Sequence, residues 1–84
     1  MKKLLLATIL LTTTLFAVIN INTASVEQLT TLSGIGKAKA KAIIEYRKKH
    51  LFKNIIELKN VKGIGNKLFN KLKKEITIKE SQEN

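Results

Sequence analysis

The sequence Gly-Ile-Gly occurs twice in the chain, at residues 34–36 and at residues 63–65. A tight glycine turn that opens into a helix presents unpaired backbone N–H groups at the positive end of the helix dipole. Such a turn can bind an anion, and a glycine lets a phosphate oxygen approach where a Cβ would stand in the way. The turns therefore predict backbone contacts to phosphate from Gly34, Ile35, Gly36, Gly63, Ile64 and Gly65.

Lysine side chains flank both turns, and a lysine is a flexible point charge that suits phosphate. The candidate side-chain contacts are Lys37, Lys39, Lys62 and Lys67. Lys39 and Lys67 are favoured among them because each lies at the start of a predicted helix that follows a turn. Five further lysines are interpreted as solvated, namely Lys41, Lys48, Lys73, Lys74 and Lys79.

The remaining polar residues do not assemble a catalytic site. The chain has six acidic residues and a single histidine, and it has no cysteine. Neither acid–base chemistry nor a two-metal site can be built from this set, so we expect no enzyme, no metal site and no cofactor. His50 is interpreted as a helix-end residue and Tyr46 and Phe69 as core residues. Arg47 could pair with a phosphate, with Glu45 or with the local helix end.

The chain is strongly cationic, with a formal net charge of +10 over 84 residues. Removal of residues 1–17 would lower this charge by two, to +8, since that segment contains Lys2 and Lys3 and no acid. Such an excess predicts a polyanionic partner, either the phosphate backbone of a nucleic acid or an anionic lipid surface.

The turns belong to a unit that is duplicated at an offset of 29 residues. At this offset Ser25 falls on Asn54 and Gln28 falls on Glu57, so both copies predict a short helix that begins with a capping box. The turn ends that helix, with the central isoleucine in the core, and a second helix follows. We expect helices over about residues 26–32, 37–49, 55–60 and 66–74, with Phe52 filling the gap between the units and Ile19 or Ile21 closing one edge.

The pattern apolar-x-Gly-apolar-Gly-x-x-x-Ala-x-x-apolar resembles the helix-hairpin-helix DNA-binding motif. The first copy fits it with Leu32, Gly34, Ile35, Gly36, Ala40 and Ile43, and the second with Val61, Gly63, Ile64, Gly65 and Leu72. Phe69 replaces the alanine in the second copy, so its two helices are expected to pack less closely. Together with the segment 22–24, the run 44–47 and Phe52, the pair of motifs resembles the competence protein ComEA family over about residues 19–78.

This resemblance implies an all-α fold in which two helix-hairpin-helix motifs pack as one small, SAM-like domain. In the family, two such units lie about a pseudo-two-fold axis and grip both strands of DNA across the minor groove. The implied function is sequence-independent binding of double-stranded DNA by an exported receptor in natural transformation. The implied partners are DNA, proteins of the uptake machinery and further copies of the chain on DNA.

The start of the chain predicts export. Lys2 and Lys3 precede an uncharged apolar run over residues 4–16 and a small residue, Ala17, as in a secretory signal peptide. If the segment is retained, the uncharged stretch 4–21 is long enough for a membrane anchor. We therefore expect a signal peptide over 1–17, the domain over 18–78 and a disordered tail over 79–84, in the periplasm or on the outer face of the cytoplasmic membrane.

Two other functions stay open. The positive charge alone could bind the domain to an anionic membrane or to an anionic polymer of the cell envelope. The same motif would also suit an accessory protein of DNA repair, although the predicted signal peptide argues against that role.

Overall fold

The computed structural model of the chain describes residues 18–79. Its elements are β1 (Ile19–Asn20), α1 (Val26–Leu29), α2 (Lys37–Lys49), the 3₁₀ helix η1 (Ile55–Asn60), α3 (Asn66–Leu72), the 3₁₀ helix η2 (Lys73–Glu75) and β2 (Ile76–Thr77). The predicted signal peptide and residues 80–84 of the predicted tail lie outside the described residues. Within residues 18–79 there is no helix of the length and apolarity that a membrane span requires.

The first helix begins with the predicted capping box. The Gln28 N–H donates to Ser25 Oγ at 3.1 Å, and Ser25 N–H donates to Gln28 Oε1 at 2.9 Å. The helix ends at Leu29, three residues earlier than predicted. Its end is tightened by the hydroxyls of Thr30 and Thr31, which donate to the carbonyls of Glu27 and Gln28; such bonds compete with continued α-helix.

The second predicted capping box is wrong. The segment after Asn54 is a 3₁₀ helix, and the Asn54 side chain makes no capping hydrogen bond. In a capping box the Asn54 side chain would accept a hydrogen bond from the Glu57 N–H. That N–H donates instead to the backbone carbonyl of Asn54, at 3.2 Å. Glu57 Oε1 accepts from the N–H of Lys53 at 3.1 Å, one residue before the predicted donor. A backbone hydrogen bond of the tighter 3₁₀ helix thus takes up the Glu57 N–H that the capping box requires.

The two longer helices agree with the sequence. Helix α2 spans the predicted residues and is ended by His50, whose N–H donates to the Tyr46 carbonyl at 2.9 Å. The last helix is α-helical to Leu72 and then continues as η2 to Glu75. The prediction of an all-α fold is confirmed, with one addition that the sequence did not predict.

That addition is a parallel pair of two-residue strands that joins the ends of the domain. Ile19 is opposite Ile76 and Asn20 is opposite Thr77. Asn20 Nδ2 also donates to the carbonyl of Lys79 at 3.0 Å, so the first residue of the predicted tail is bound to the domain. Strand β1 and Ile21, which is fully buried, belong to the uncharged stretch 4–21 that is long enough for a membrane anchor. A membrane-spanning helix that included residues 19–21 would remove β1 from its pairing with β2 and Ile21 from the core.

The two units share one apolar core. Its buried residues are Ile21, Ala24, Leu29, Leu32, Ile35, Ala40, Ile43, Phe52, Leu58, Val61, Ile64, Phe69, Leu72 and Ile76. The predicted burial of Phe52 is confirmed, and Asn22 holds its backbone: Asn22 Oδ1 accepts from the Phe52 N–H at 2.8 Å and Nδ2 donates to its carbonyl at 3.0 Å. Arg47 Nη1 donates to the Ile21 carbonyl at 3.0 Å, so its guanidinium holds the fold together.

Candidate nucleic-acid interface

The two turns have the same backbone conformation. Gly34 and Gly63 are the two residues with positive φ in the described part of the chain, at 77° and 94°. The N–H of Ile35 closes its turn on the Leu32 carbonyl at 3.1 Å, and the N–H of Ile64 repeats this bond at 3.0 Å on Val61. Both isoleucine side chains are buried. These two residues therefore fix the turns, and their N–H groups are already bonded.

The second glycine of each turn faces open space. Gly36 and Gly65 have extended backbones, precede α2 and α3, and have no capping side chain. A Cβ on either residue would meet no described atom within 4 Å. Their carbonyls accept the first helical hydrogen bonds, at 2.9 Å from Ala40 and Phe69. The space beside each turn and the first N–H groups of each helix are thus accessible to an anion.

The first glycine of each turn packs against the other unit. A Cβ on Gly34 would overlap Leu68 Cδ1, and a Cβ on Gly63 would lie 3.4 Å from Lys39 Cε. Lys39 and Leu68 occupy the same position of the repeat, the third residue of α2 and of α3. The units therefore pack reciprocally, and the two hairpins lie side by side.

The predicted lysines do not all lie at their own turns. Lys37, Lys62 and Lys67 are exposed and adjoin the hairpins. Lys39 is half-buried, and its stem lies along Gly63 of the second hairpin instead of its own turn. A lysine stem buried in this way leaves the ammonium group at the surface.

The sequence did not predict a role for Lys59, which lies near the second hairpin. Its Nζ donates to Oδ1 of Asn66 at 2.9 Å and lies 5.4 Å from the centroid of the Phe69 ring. Asn66 directly follows the turn, so the ammonium group of Lys59 is held at the start of α3. The equivalent residue of the first unit is Thr30, and the repeat therefore gave no signal for this lysine.

Glu75 is the second missed residue and lies at the first hairpin. Its carboxylate accepts from the N–H of Ser33 at 2.9 Å and from the Ser33 hydroxyl at 2.6 Å. These two hydrogen bonds, with the side-chain bond foremost, lower the pKa of Glu75. The carboxylate is therefore ionised at neutral pH beside Gly34.

Among residues 18–79, no carboxylate forms an ion pair with a lysine at the hairpins, and the one aromatic ring beside such a lysine is that of Phe69, next to Lys59. Within residues 18–79 the one ion pair joins Lys48 and Glu45, at 3.3 Å, on the exposed face of α2. The Tyr46 ring stacks on Phe52 with centroids 5.0 Å apart and has His50 at 5.4 Å. The described aromatic residues thus serve the core, and the interface consists of glycine turns and lysines.

Comparison with known proteins agrees with this geometry. A family model described as the helix-hairpin-helix motif matches residues 16–77. The chain belongs to the helix-hairpin-helix family. The match covers both hairpins and both strands of the domain.

Three relatives of this helix-hairpin-helix chain illustrate the range of the family. ComE operon protein 1 of Bacillus subtilis is 48% identical over 64 residues, which are 75% of this chain and 31% of the relative. An uncharacterised protein of Haemophilus influenzae is 49% identical over 49 residues, 56% of this chain and 44% of the relative. The endonuclease/exonuclease/phosphatase family domain-containing protein 1 of Mus musculus is 41% identical over 62 residues, 71% of this chain and 11% of the relative.

These matches confirm the predicted resemblance to the competence protein ComEA family. The helix-hairpin-helix chain spans less than half of the length of each of the three relatives. The expectation of a domain without enzymatic activity agrees with the helix-hairpin-helix match. The relative named for nuclease and phosphatase domains shares only 11% of its length with this chain.

Proposed function

We propose that this domain binds double-stranded DNA through the phosphate backbones, without reading the base sequence. The observation that carries the proposal is the repeated turn with an open second glycine, found at Gly36 and at Gly65. Backbone N–H groups and lysines can position DNA but convey no sequence information. Two such turns side by side would engage one phosphate group on each strand, and the minor-groove side of the duplex is the proposed contact.

The proposed contacts divide into backbone and side-chain groups. The turns supply Gly34, Ile35, Gly36, Gly63, Ile64 and Gly65, in which the isoleucines shape the turn. The exposed lysines Lys37, Lys62 and Lys67, together with Lys39, supply charge. With on the order of four to six phosphate contacts, the affinity should be micromolar and should fall steeply with salt.

We further propose that the domain serves as an exported DNA receptor in DNA uptake. The similarity to ComE operon protein 1 and the basic, then apolar, start of the chain support this role. The domain would lie in the periplasm or on the outer face of the cytoplasmic membrane. Several copies bound along incoming DNA would oppose its backward diffusion, and proteins of the uptake machinery would receive it.

Fluorescence anisotropy tests the binding mode. Residues 18–84 are titrated with two unrelated duplexes and one single strand over a range of salt concentrations, beside the variant Lys39→Ala with Lys67→Ala. We expect equal affinities for the two duplexes, and an equal loss for both in the variant with a shallower dependence on salt. A loss confined to one duplex would contradict backbone-only recognition.

A matched control separates this mode from general attraction between charges. The variant Lys73→Ala with Lys74→Ala removes the same charge from exposed residues of η2. We expect it to bind both duplexes nearly as well as the parent does. If both double variants lose affinity equally, net charge alone carries the binding, and a protein that binds anionic envelope surfaces becomes the better account.

A further inference from the structure

The two hairpins have the same backbone but different charges around them. The second hairpin carries Lys62 within the turn, where the first carries Ser33. Lys39 adds a further cation from the opposite unit, since its Cε lies 3.4 Å from the Cβ position of Gly63. Lys59 adds another, held by Asn66 at 2.9 Å. With Lys67 in the first turn of α3, four lysines adjoin the second hairpin.

The first hairpin has no lysine at the position equivalent to any of these four, and Ala38 stands at the position of Lys67. At the position of Lys62 it has Ser33, and at the position of Lys59 it has Thr30. Across Gly34 lies the apolar side chain of Leu68 in the place where Lys39 faces Gly63. Of the lysines adjoining this turn, Lys37 has no counterpart at the second hairpin, where Asn66 occupies its position.

An acidic group increases the difference. The carboxylate of Glu75 lies 2.9 Å from the backbone nitrogen of Ser33 and 2.6 Å from its hydroxyl oxygen. It therefore occupies two donors directly before Gly34 and places a negative charge beside the turn. This negative charge would repel a phosphate bound at the turn, and water and salt weaken the repulsion without abolishing it. A phosphate at the first hairpin would therefore have one neighbouring lysine, Lys37, and one neighbouring carboxylate, that of Glu75.

We propose, on the basis of the DNA-binding function proposed above, that the second hairpin is the dominant phosphate clamp and the first is the weaker one. The domain thus holds one strand of a duplex firmly and the other loosely. A duplex with a gap in the strand at the first hairpin should therefore retain most of its affinity. Binding would depend mainly on the continuity of a single strand.

A matched pair of substitutions tests this inequality. Gly36→Ala and Gly65→Ala add the same methyl group at equivalent, open positions with extended backbones, so both variants should fold. Each methyl group would obstruct a phosphate at one turn only. We expect a loss of duplex affinity of about tenfold for Gly65→Ala and of about threefold or less for Gly36→Ala, at about 0.1 M salt, measured by anisotropy.

Glu75→Gln tests the contribution of the carboxylate. Glutamine can still accept a hydrogen bond from Ser33 but carries no charge. We expect this variant to bind duplex more tightly than the parent, with the gain concentrated at low salt and lost in Gly36→Ala. Thermal unfolding of each variant shows that the domain is intact.

The outcomes separate the inference from the function on which it rests. If the parent binds no duplex at any salt concentration, the proposed function fails. If the parent binds and the two glycine variants lose affinity equally, or Gly36→Ala loses more, the inequality of the hairpins is wrong while DNA binding stands. If Glu75→Gln binds no more tightly than the parent, the carboxylate does not weaken the first hairpin and that part of the proposal is overturned.

Discussion

The side chain of Lys39, from the first unit, lies along Gly63 of the second unit, with Cε 3.4 Å from the position that a Cβ would take. The contact joins the two hairpins and orders a lysine at the proposed interface. A residue with four rotatable side-chain bonds loses conformational entropy when it is held. Part of this entropy is already lost when the domain folds, because the Lys39 stem packs on Gly63 before any ligand binds.

Replacement of Lys39 by methionine should separate its charge from its packing. Lys39→Met keeps an unbranched apolar stem against Gly63, so the free energy of unfolding should change by less than about 0.5 kcal/mol. Duplex affinity should fall, and the slope of log affinity against log salt should become shallower by about one. Lys41→Met, on the exposed face of α2, is the control and should leave both quantities nearly unchanged.

The first glycines of the turns should tolerate alanine unequally. Both have positive φ, which costs an alanine about 1 kcal/mol or more. At Gly34 the new Cβ would also overlap Leu68, whereas at Gly63 it would meet the flexible stem of Lys39. We expect Gly34→Ala to lower the free energy of unfolding by about 1–2 kcal/mol more than Gly63→Ala does. Urea unfolding measures the difference, and equal losses would contradict the reciprocal packing.

Glu75 should make stability depend on pH in the acid range. Its hydrogen bonds to Ser33 lower the pKa of Glu75 in the folded chain, so folding favours the ionised form. The stabilisation is therefore fully present above the unfolded pKa, about 4.3, and is lost as pH falls through the lower folded pKa. We expect the difference in stability between the parent and Glu75→Gln to be constant near neutral pH and to shrink below about pH 4. A difference that grows on acidification would contradict the contact.

The features that the sequence predicted correctly depend on neighbouring residues. Ser25 and Gln28 lie three residues apart and form their reciprocal cap with bonds inside one turn. The predicted turns depend on the freedom of glycine to adopt positive φ, as Gly34 and Gly63 do, and the apolar spacing of α2 set its bounds. Such signals act over a few residues and can be found without a structure.

The features that it did not predict depend on distant residues or on the winding of the backbone. Ser33 and Glu75 are 42 residues apart, and no local pattern joins them. The β1–β2 pair is equally non-local. Asn54 has the same spacing to Glu57 as Ser25 has to Gln28. In the 3₁₀ helix, however, the Glu57 N–H donates to the Asn54 carbonyl and not to the Asn54 side chain. Identical spacing therefore did not give identical caps.

Entry of phosphate at the two open glycines, Gly36 and Gly65, is tested most directly by one double variant. Gly36→Ala with Gly65→Ala keeps every charge of the domain and adds two methyl groups where a Cβ meets no described atom within 4 Å. Anisotropy with a duplex at about 0.1 M salt should show a loss of affinity of about 10- to 30-fold, with the thermal unfolding midpoint lowered by only a few degrees. If the folded double variant binds duplex as tightly as the parent, phosphate does not enter these turns, and the proposed interface is wrong.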